Sequence, residues 1–245
     1  MVRGRVARLL GISAPAPPPI PAPEPGPDYK AAWNEAAAKG AVDAVLTGSS
    51  EDFFEYAGRR DAEVVARYLP ADAAVLDVGC GVGRVERYLA PRVRELWAID
   101  VSAEMLRLAR ERLAGVSNVH LREVGNREFL ASFEDRRFDV VLSFLVLQHL
   151  EREDAFLYLR DACRVLVLGG ALVTQFPNLL SAAYARVFVD GAAVADRSPG
   201  RVRAYTEAEA RRVLELAGFE IEEVWLGGVD DPTDEIYVVG RKRRS

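Results

Sequence analysis

The stretch Val75 to Arg84, VLDVGCGVGR, places an apolar run and one acid, Asp77, ahead of glycines at positions 79, 81 and 83. Glycines in this alternation leave the main chain bare, so a ligand can touch backbone amides, and a helix opening behind them favours anionic groups. That alone indicates only a nucleotide-type site. The spacing sharpens it. A dinucleotide fingerprint puts its third glycine three residues after the second, where this chain has Arg84, and here the third glycine comes after two. Asp77 beside the loop repels a diphosphate and attracts an ammonium group. A second acid, Asp100 in WAIDVSAEML, lies seventeen residues past Gly83, near the ~20-residue spacing at which a carboxylate accepts hydrogen bonds from a ribose diol.

These demands describe a ligand with an adenosine-like sugar, a cationic tail and little phosphate, and S-adenosylmethionine meets all three. Methyl transfer from a sulfonium is an in-line displacement, so alignment and exclusion of water supply much of the acceleration. A base is useful only where the acceptor must lose a proton. His149, in SFLVLQHL, is one of two histidines and falls near the expected mouth of the site. It is open to two readings: a capping or packing residue, or a general base, since imidazole titrates in the required range. His120, in NVHLREV, reads as a structural histidine. Tyr29, Trp33, Phe53, Tyr56, Tyr184 and Tyr205 are the aromatic candidates for the site, against ordinary core packing for any one of them.

The elements that position these residues follow from periodicity. From Val75 onward, strands AVLDV, ELWAI, NVHLREV, FDVVLSF and ALVTQF are interleaved with helices RVERYLA, AEMLRLARERLA and EDAFLYLRDACRVL. Such alternation predicts a doubly wound α/β sheet. Thr206 and Glu209 form a capping-box signature ahead of AEARRVLELA, and Gly218 stops that helix. FEIEEVWL and EIYVVG then read as a hairpin whose last strand runs antiparallel. Two helices precede the glycine loop, within residues 28–70, the first interrupted at Gly40. Residues 71–245 form the nucleotide-binding domain, with 178–203 lacking a strong period and read as a lid or insertion. Residues 1–27 combine a short basic segment with APAPPPIPAPEPGP, which holds eight of the thirteen prolines and forms an extended, disordered arm.

Composition limits the functional classes. The 245 residues carry 32 basic against 37 acidic side chains, a net charge of −5, so no overall positive field draws the chain onto nucleic acid or an anionic membrane. Arg201, Arg203 and the basic end RKRRS are candidates to meet an anionic acceptor, against a solvated charge run. Two cysteines, Cys80 and Cys163, suggest neither a disulfide framework nor a metal cluster. With no membrane-spanning run, a soluble cytoplasmic protein is expected, its oligomeric state open.

The motifs VLDVGCGVGR, WAIDVSAEML, FDVVLSFLVLQHL and YTEAEARRVLELAGFEI together resemble those of the class I S-adenosylmethionine-dependent methyltransferases, over roughly Phe53 to Gly240. The resemblance implies a seven-stranded Rossmann-like sheet, mostly parallel with an antiparallel last strand, helices on both faces, and a small-molecule acceptor methylated on O or N. It places Gly79, Gly81 and Gly83 along the methionine and ribose, Asp77 near the amino group, Asp100 on the sugar hydroxyls, and Val101 and Met105 on the adenine. Cys80, Phe144 and Gln148 fall in the same motifs, as cofactor or loop contacts. Where the family often has an acid after the third strand this chain has Gly125 and Asn126, whose amide oxygen can accept from adenine without the charge. The family's Leu-Lys-Pro-Gly-Gly turn appears as LVLGG. Two other classes compete: a nicotinamide-dependent reductase, opposed by Arg84, and a non-catalytic binding module, opposed by the complete set of loop and carboxylates.

Overall fold

The structure is a computed structural model, and it describes residues 27–46, 48–125, 130–194, 198, 200–228 and 231–243. The arm up to residue 26 and Asn126 lie outside the described residues. Seven strands form one sheet in the order β3-β2-β1-β4-β5-β7-β6. They are β1 (Ala74–Val78), β2 (Glu95–Asp100), β3 (Val119–Glu123), β4 (Phe138–Ser143), β5 (Leu166–Pro177), β6 (Phe219–Gly227) and β7 (Glu235–Lys242). Only β7 runs against its neighbours, pairing antiparallel with both β5 and β6, as the expected hairpin requires. The strand order reverses direction between β1 and β4, and that switch point leaves a crevice beyond the carboxyl ends of the strands.

The helices are α1 (Tyr29–Val45), α2 (Glu51–Ala66), α3 (Glu86–Leu89), α4 (Ala103–Arg112), α5 (Arg152–Val165), α6 (Ala182–Ala193) and α7 (Glu207–Leu216), with short 3₁₀ turns at Ala90–Arg92 and Leu147–His149. β1 is buried at all five positions and β4 at five of six, which accounts for their continuous apolar runs. Two apolar layers cover the sheet, one built around Phe138, Phe176 and Phe219, the other around Val75, Leu96 and Val173. Among the described residues no helix is long and apolar enough to cross a membrane, and no cluster of His, Cys, Asp and Glu is arranged to hold a metal ion.

The local signals hold at the caps. Thr206 and Glu209 make both capping-box bonds, and Gly218 adopts φ 104° behind α7. α1 departs from helical geometry at Gly40. Two readings need correction, and the stretch 178–203 gains an element. LVLGG is not a free turn: β5 starts at Leu166, and Gly169 with Gly170 lies where its pairing with β4 jumps from Phe138–Leu166 to Val140–Ala171. The stretch 178–203 contains a helix, α6, capped by Ser181 on the amide of Tyr184. No residue of α6 is buried although nine of its twelve are apolar, so no polar and apolar faces contrast to reveal it. His120 sits on the exposed edge strand β3 with its ring 4.9 Å from Trp97, not inside the core.

Candidate active site

The glycine loop leaves β1 at Val78 and turns through three positive φ values, 84° at Gly79, 55° at Gly81 and 82° at Gly83, which side chains with a Cβ rarely adopt. The three glycines do different things. A Cβ on Gly79 would lie 2.2 Å from Val146 and one on Gly83 would lie 2.9 Å from Leu113 on the far side. Gly81 alone has open space in front of it, its nearest neighbour being Val45 at 3.5 Å. Gly79 and Gly81 line the cleft, whereas Gly83 is absent from its wall and serves the packing of the loop on α4.

Asp100, at the end of β2, fastens this loop. One carboxylate oxygen accepts from the Gly81 amide at 2.9 Å and the other from the Ser102 amide at 2.8 Å. Gly79 and Cys80 both donate to the Ile99 carbonyl. The carboxylate is buried and still lines the cleft, with lone pairs left for a ligand's hydroxyls. Burial pushes its pKa up, partly opposed by the backbone amides of Ser102, Gly81 and Val101. Asp77 is deeper. Burial pushes it well above the ordinary carboxylate range, and Glu86 beside it, itself almost wholly buried, pushes it further. Two buried carboxyls facing each other do not both ionise cheaply, so the protonated form of one is favoured. Glu86 went unnoticed in the sequence, since nothing in RVERYLA marks it as facing Asp77.

The cleft encloses about 890 Å³, its open mouth included. Besides Asp77, Cys80 and Asp100, its wall includes Val101, Met105, Phe144 and His149. Burial raises the Cys80 thiol well above its usual pKa, so it presents an uncharged surface. From the N-terminal helices come Tyr29, Trp33 and Val45. Tyr29 anchors α1: its hydroxyl donates to Asp154 at 2.9 Å and accepts from the Glu151 amide at 3.0 Å, and burial lifts its pKa to about 12. Asn34 accepts from the Ser102 hydroxyl at 2.8 Å, holding α1 to the start of α4. The one cation in the wall, Arg84, is spoken for: its guanidinium lies 2.7 Å from Asp61 of α2, both side chains nearly buried.

Residues 75–170 match a model of the methyltransferase domain. A ubiquinone biosynthesis O-methyltransferase of Xanthomonas axonopodis pv. citri (strain 306) is 32% identical over 166 residues, covering 66% of this chain and 68% of that protein. The chain belongs to the class I S-adenosylmethionine-dependent methyltransferases. A demethylmenaquinone methyltransferase of Tropheryma whipplei (strain Twist) is 34% identical over 122 residues, 49% of each chain. Among solved structures, the magnesium protoporphyrin IX methyltransferase of Synechocystis PCC 6803 with bound SAH superimposes with a TM-score of 0.66 at 19% identity, covering 87% of this chain and 97% of that one.

In this methyltransferase His149 lines the cleft with both ring nitrogens engaged. Nδ1 lies 2.8 Å from the Gly200 carbonyl and must carry the proton; Nε2 lies 3.1 Å from the Gln148 side-chain amide and accepts from it. The ring edge packs on Trp33 at 4.8 Å. Burial lowers its pKa to about 4, so the imidazole is neutral at physiological pH. Gln148 is buried but outside the cleft wall, and its backbone carbonyl accepts from Arg203 at 2.8 Å. Arg203 also bonds the His149 carbonyl at 2.8 Å and pairs with Glu151 at 2.5 Å, where Arg201 joins at 3.2 Å. The two arginines noted in the sequence are thus spent on closing residues 200–203 over the Leu147–His149 turn.

A second chamber of about 620 Å³, its mouth included, adjoins the first: Arg84 and Leu145 line both. Its wall carries Phe53, Tyr184 and Tyr237 and the carboxylate of Glu235, the first residue of β7. Of the aromatic candidates, Tyr29 and Trp33 therefore face the first chamber and Phe53 and Tyr184 the second. Tyr56 is 58% exposed, and Tyr205 is buried against Phe176 at 4.8 Å.

Proposed function

We propose that the chain transfers a methyl group from S-adenosylmethionine to an oxygen or nitrogen of a small-molecule acceptor. The observation that carries this reading is the cleft's charge: bare main chain at Gly81, two buried carboxyls, Asp77 and Asp100, and one arginine already paired with Asp61. Such a wall favours a cation bearing a diol and disfavours a diphosphate. The bound cofactor supplies an electrophilic methyl group on a sulfonium.

The chain's own residues bind, orient and exclude water. Asp77 takes the ammonium end, Asp100 accepts from the ribose hydroxyls while holding the loop, and Val101 and Met105 form the apolar slot for the base. Trp33 and Val45, brought by α1, cover the reacting end. His149, neutral and bonded on both sides, positions the Gly200–Arg203 segment. The relatives named as a ubiquinone biosynthesis O-methyltransferase and a demethylmenaquinone methyltransferase support a small acceptor, as does a second chamber of about 620 Å³.

Calorimetry with S-adenosylmethionine and, separately, with NADH tests the cofactor, and incubation with methyl-labelled S-adenosylmethionine and a fractionated metabolite extract tests the transfer. Binding of the sulfonium, no uptake of NADH and one or more labelled small molecules are expected. Heat with NADH and none with the sulfonium would overturn the reading.

A further inference from the structure

The second chamber lies beyond the carboxyl ends of β4 and β5, where Leu145, Gln175 and Glu235 form a chain of hydrogen bonds. The Leu145 amide donates to the Gln175 side-chain oxygen at 2.8 Å, and the Gln175 amide nitrogen donates to one Glu235 oxygen at 3.0 Å. The other Glu235 oxygen accepts from the Tyr184 hydroxyl of α6 at 2.7 Å. Leu145 belongs to the wall shared with the cofactor cleft and adopts φ 60° without being glycine, a conformation that persists where the surroundings enforce it. Each Glu235 oxygen has accepted one bond and retains capacity for another. The chamber around it presents three aromatic rings, Phe53, Tyr184 and Tyr237.

We infer that this chamber is the acceptor subsite, that it takes an aromatic molecule bearing a hydroxyl, and that Glu235 receives the hydroxyl proton. The inference rests on the methyltransferase reading above and deepens it. In the step, the acceptor O–H bond breaks, its proton passes to a Glu235 oxygen, and the electron pair stays on the acceptor oxygen. That pair forms the new O–C bond to the methyl group, and the pair of the old C–S bond remains on sulfur. Glu235 then returns the proton to solvent. Tyr184 and Gln175 hold the carboxylate in place, Tyr184 as part of the insertion between β5 and α7.

The groups facing Glu235 agree with this assignment. Burial raises its pKa to about 7, with Asp234 and Asp61 adding to the rise and the bonds from Tyr184 and Gln175 opposing it. Arg60 of α2 sits over the Tyr237 ring at 5.4 Å, and Arg84 is held by Asp61, so neither is bonded to Glu235. A carboxyl raised this far above its ordinary range is a competent proton acceptor near neutral pH. A neutral amine acceptor, which presents its lone pair unaided, has no need of it.

The test uses the full chain with methyl-labelled S-adenosylmethionine and a fractionated metabolite extract, comparing wild type, Glu235→Gln, Glu235→Asp and Tyr184→Phe. Labelled O-methyl aromatic products are expected. Glu235→Gln should lower kcat by about 100-fold or more, in the range of a lost general base, with S-adenosylmethionine affinity by calorimetry within about threefold. The rise of kcat with pH near 7 should vanish in Glu235→Gln and shift in Glu235→Asp, whose retained carboxyl guards against a folding artefact. Carbon-13 NMR of glutamate-labelled protein should show one carboxyl titrating near 7 that Glu235→Gln removes. N-methyl products, or an unchanged kcat and pH profile in Glu235→Gln, would overturn the inference while leaving the methyltransferase reading intact. No labelled product from wild type would overturn both.

Discussion

Gly58 sits in the interior of α2, where replacement by alanine ordinarily stabilises a helix by about 1 kcal/mol. Here the added Cβ would stand 2.5 Å from the carbonyl oxygen of Arg84 and 2.8 Å from its Cγ. Ordinary carbon–oxygen contact is about 3.3 Å or more, so helix and loop must separate by roughly 0.8 Å. Overpacking of that kind costs about 1–3 kcal/mol. The two effects oppose each other, and the clash wins because its partner is main chain, which cannot swing aside. The net expectation for Gly58→Ala is a stability loss of up to about 2 kcal/mol. The displacement also falls on the residue after Gly83, and one helical turn on, Asp61 bonds the same arginine. S-adenosylmethionine affinity should therefore fall about tenfold or more, equivalent to about 1.4 kcal/mol. Urea unfolding and calorimetric titration read the two quantities. Gly191→Ala is the matched control, since Gly191 lies in α6 with nothing within 4 Å of the new Cβ, and should stabilise by about 0.5–1 kcal/mol. If Gly58→Ala proves as stabilising as Gly191→Ala and binds cofactor normally, α2 does not press on the loop.

Two further predictions concern the buried acids and the buried histidine. Asp77 and Glu86 both have pKa values raised by burial, so the pair takes up a proton at a pH above the ordinary carboxylate range. A bound ammonium group favours the ionised form, and cofactor affinity should rise with pH across that titration with release of protons, measured by calorimetry in buffers of different ionisation enthalpy. Glu86→Gln should diminish the proton release, and an undiminished release would show that Glu86 is not coupled to Asp77. His149→Ala should lower stability by about 1–3 kcal/mol, because it leaves the Gly200 carbonyl and the Gln148 amide without their partner. Its residual turnover should keep the rise near pH 7, and loss of that inflection would return the base role to His149.

What was legible in the sequence was whatever a single element states by itself. β1 and β4 announce themselves because they are buried on both faces, and α7 because Thr206, Glu209 and Gly218 satisfy its ends locally. The loop was legible because Gly79, Gly81, Asp77 and Asp100 are tied by spacing to one ligand chemistry. The illegible parts arise between elements. Gly83 looks like its two neighbours, yet only the approach of Leu113 from α4 removes it from the cleft wall. Arg84 argued against a dinucleotide by not being glycine, while its actual partner, Asp61, lies on a helix 23 positions earlier. α6 hid because nine of its twelve residues are apolar and none is buried, so its sequence marks no face turned to a core. Glu235 is the extreme case. Its surroundings come from β5 through Gln175 and from α6 through Tyr184, 60 and 51 residues away, and its own neighbourhood, DDPTDEIY, reads as a polar turn opening a strand. A carboxylate becomes a base when other chain segments take its water away, and that event leaves no mark at the residue's own place in the chain.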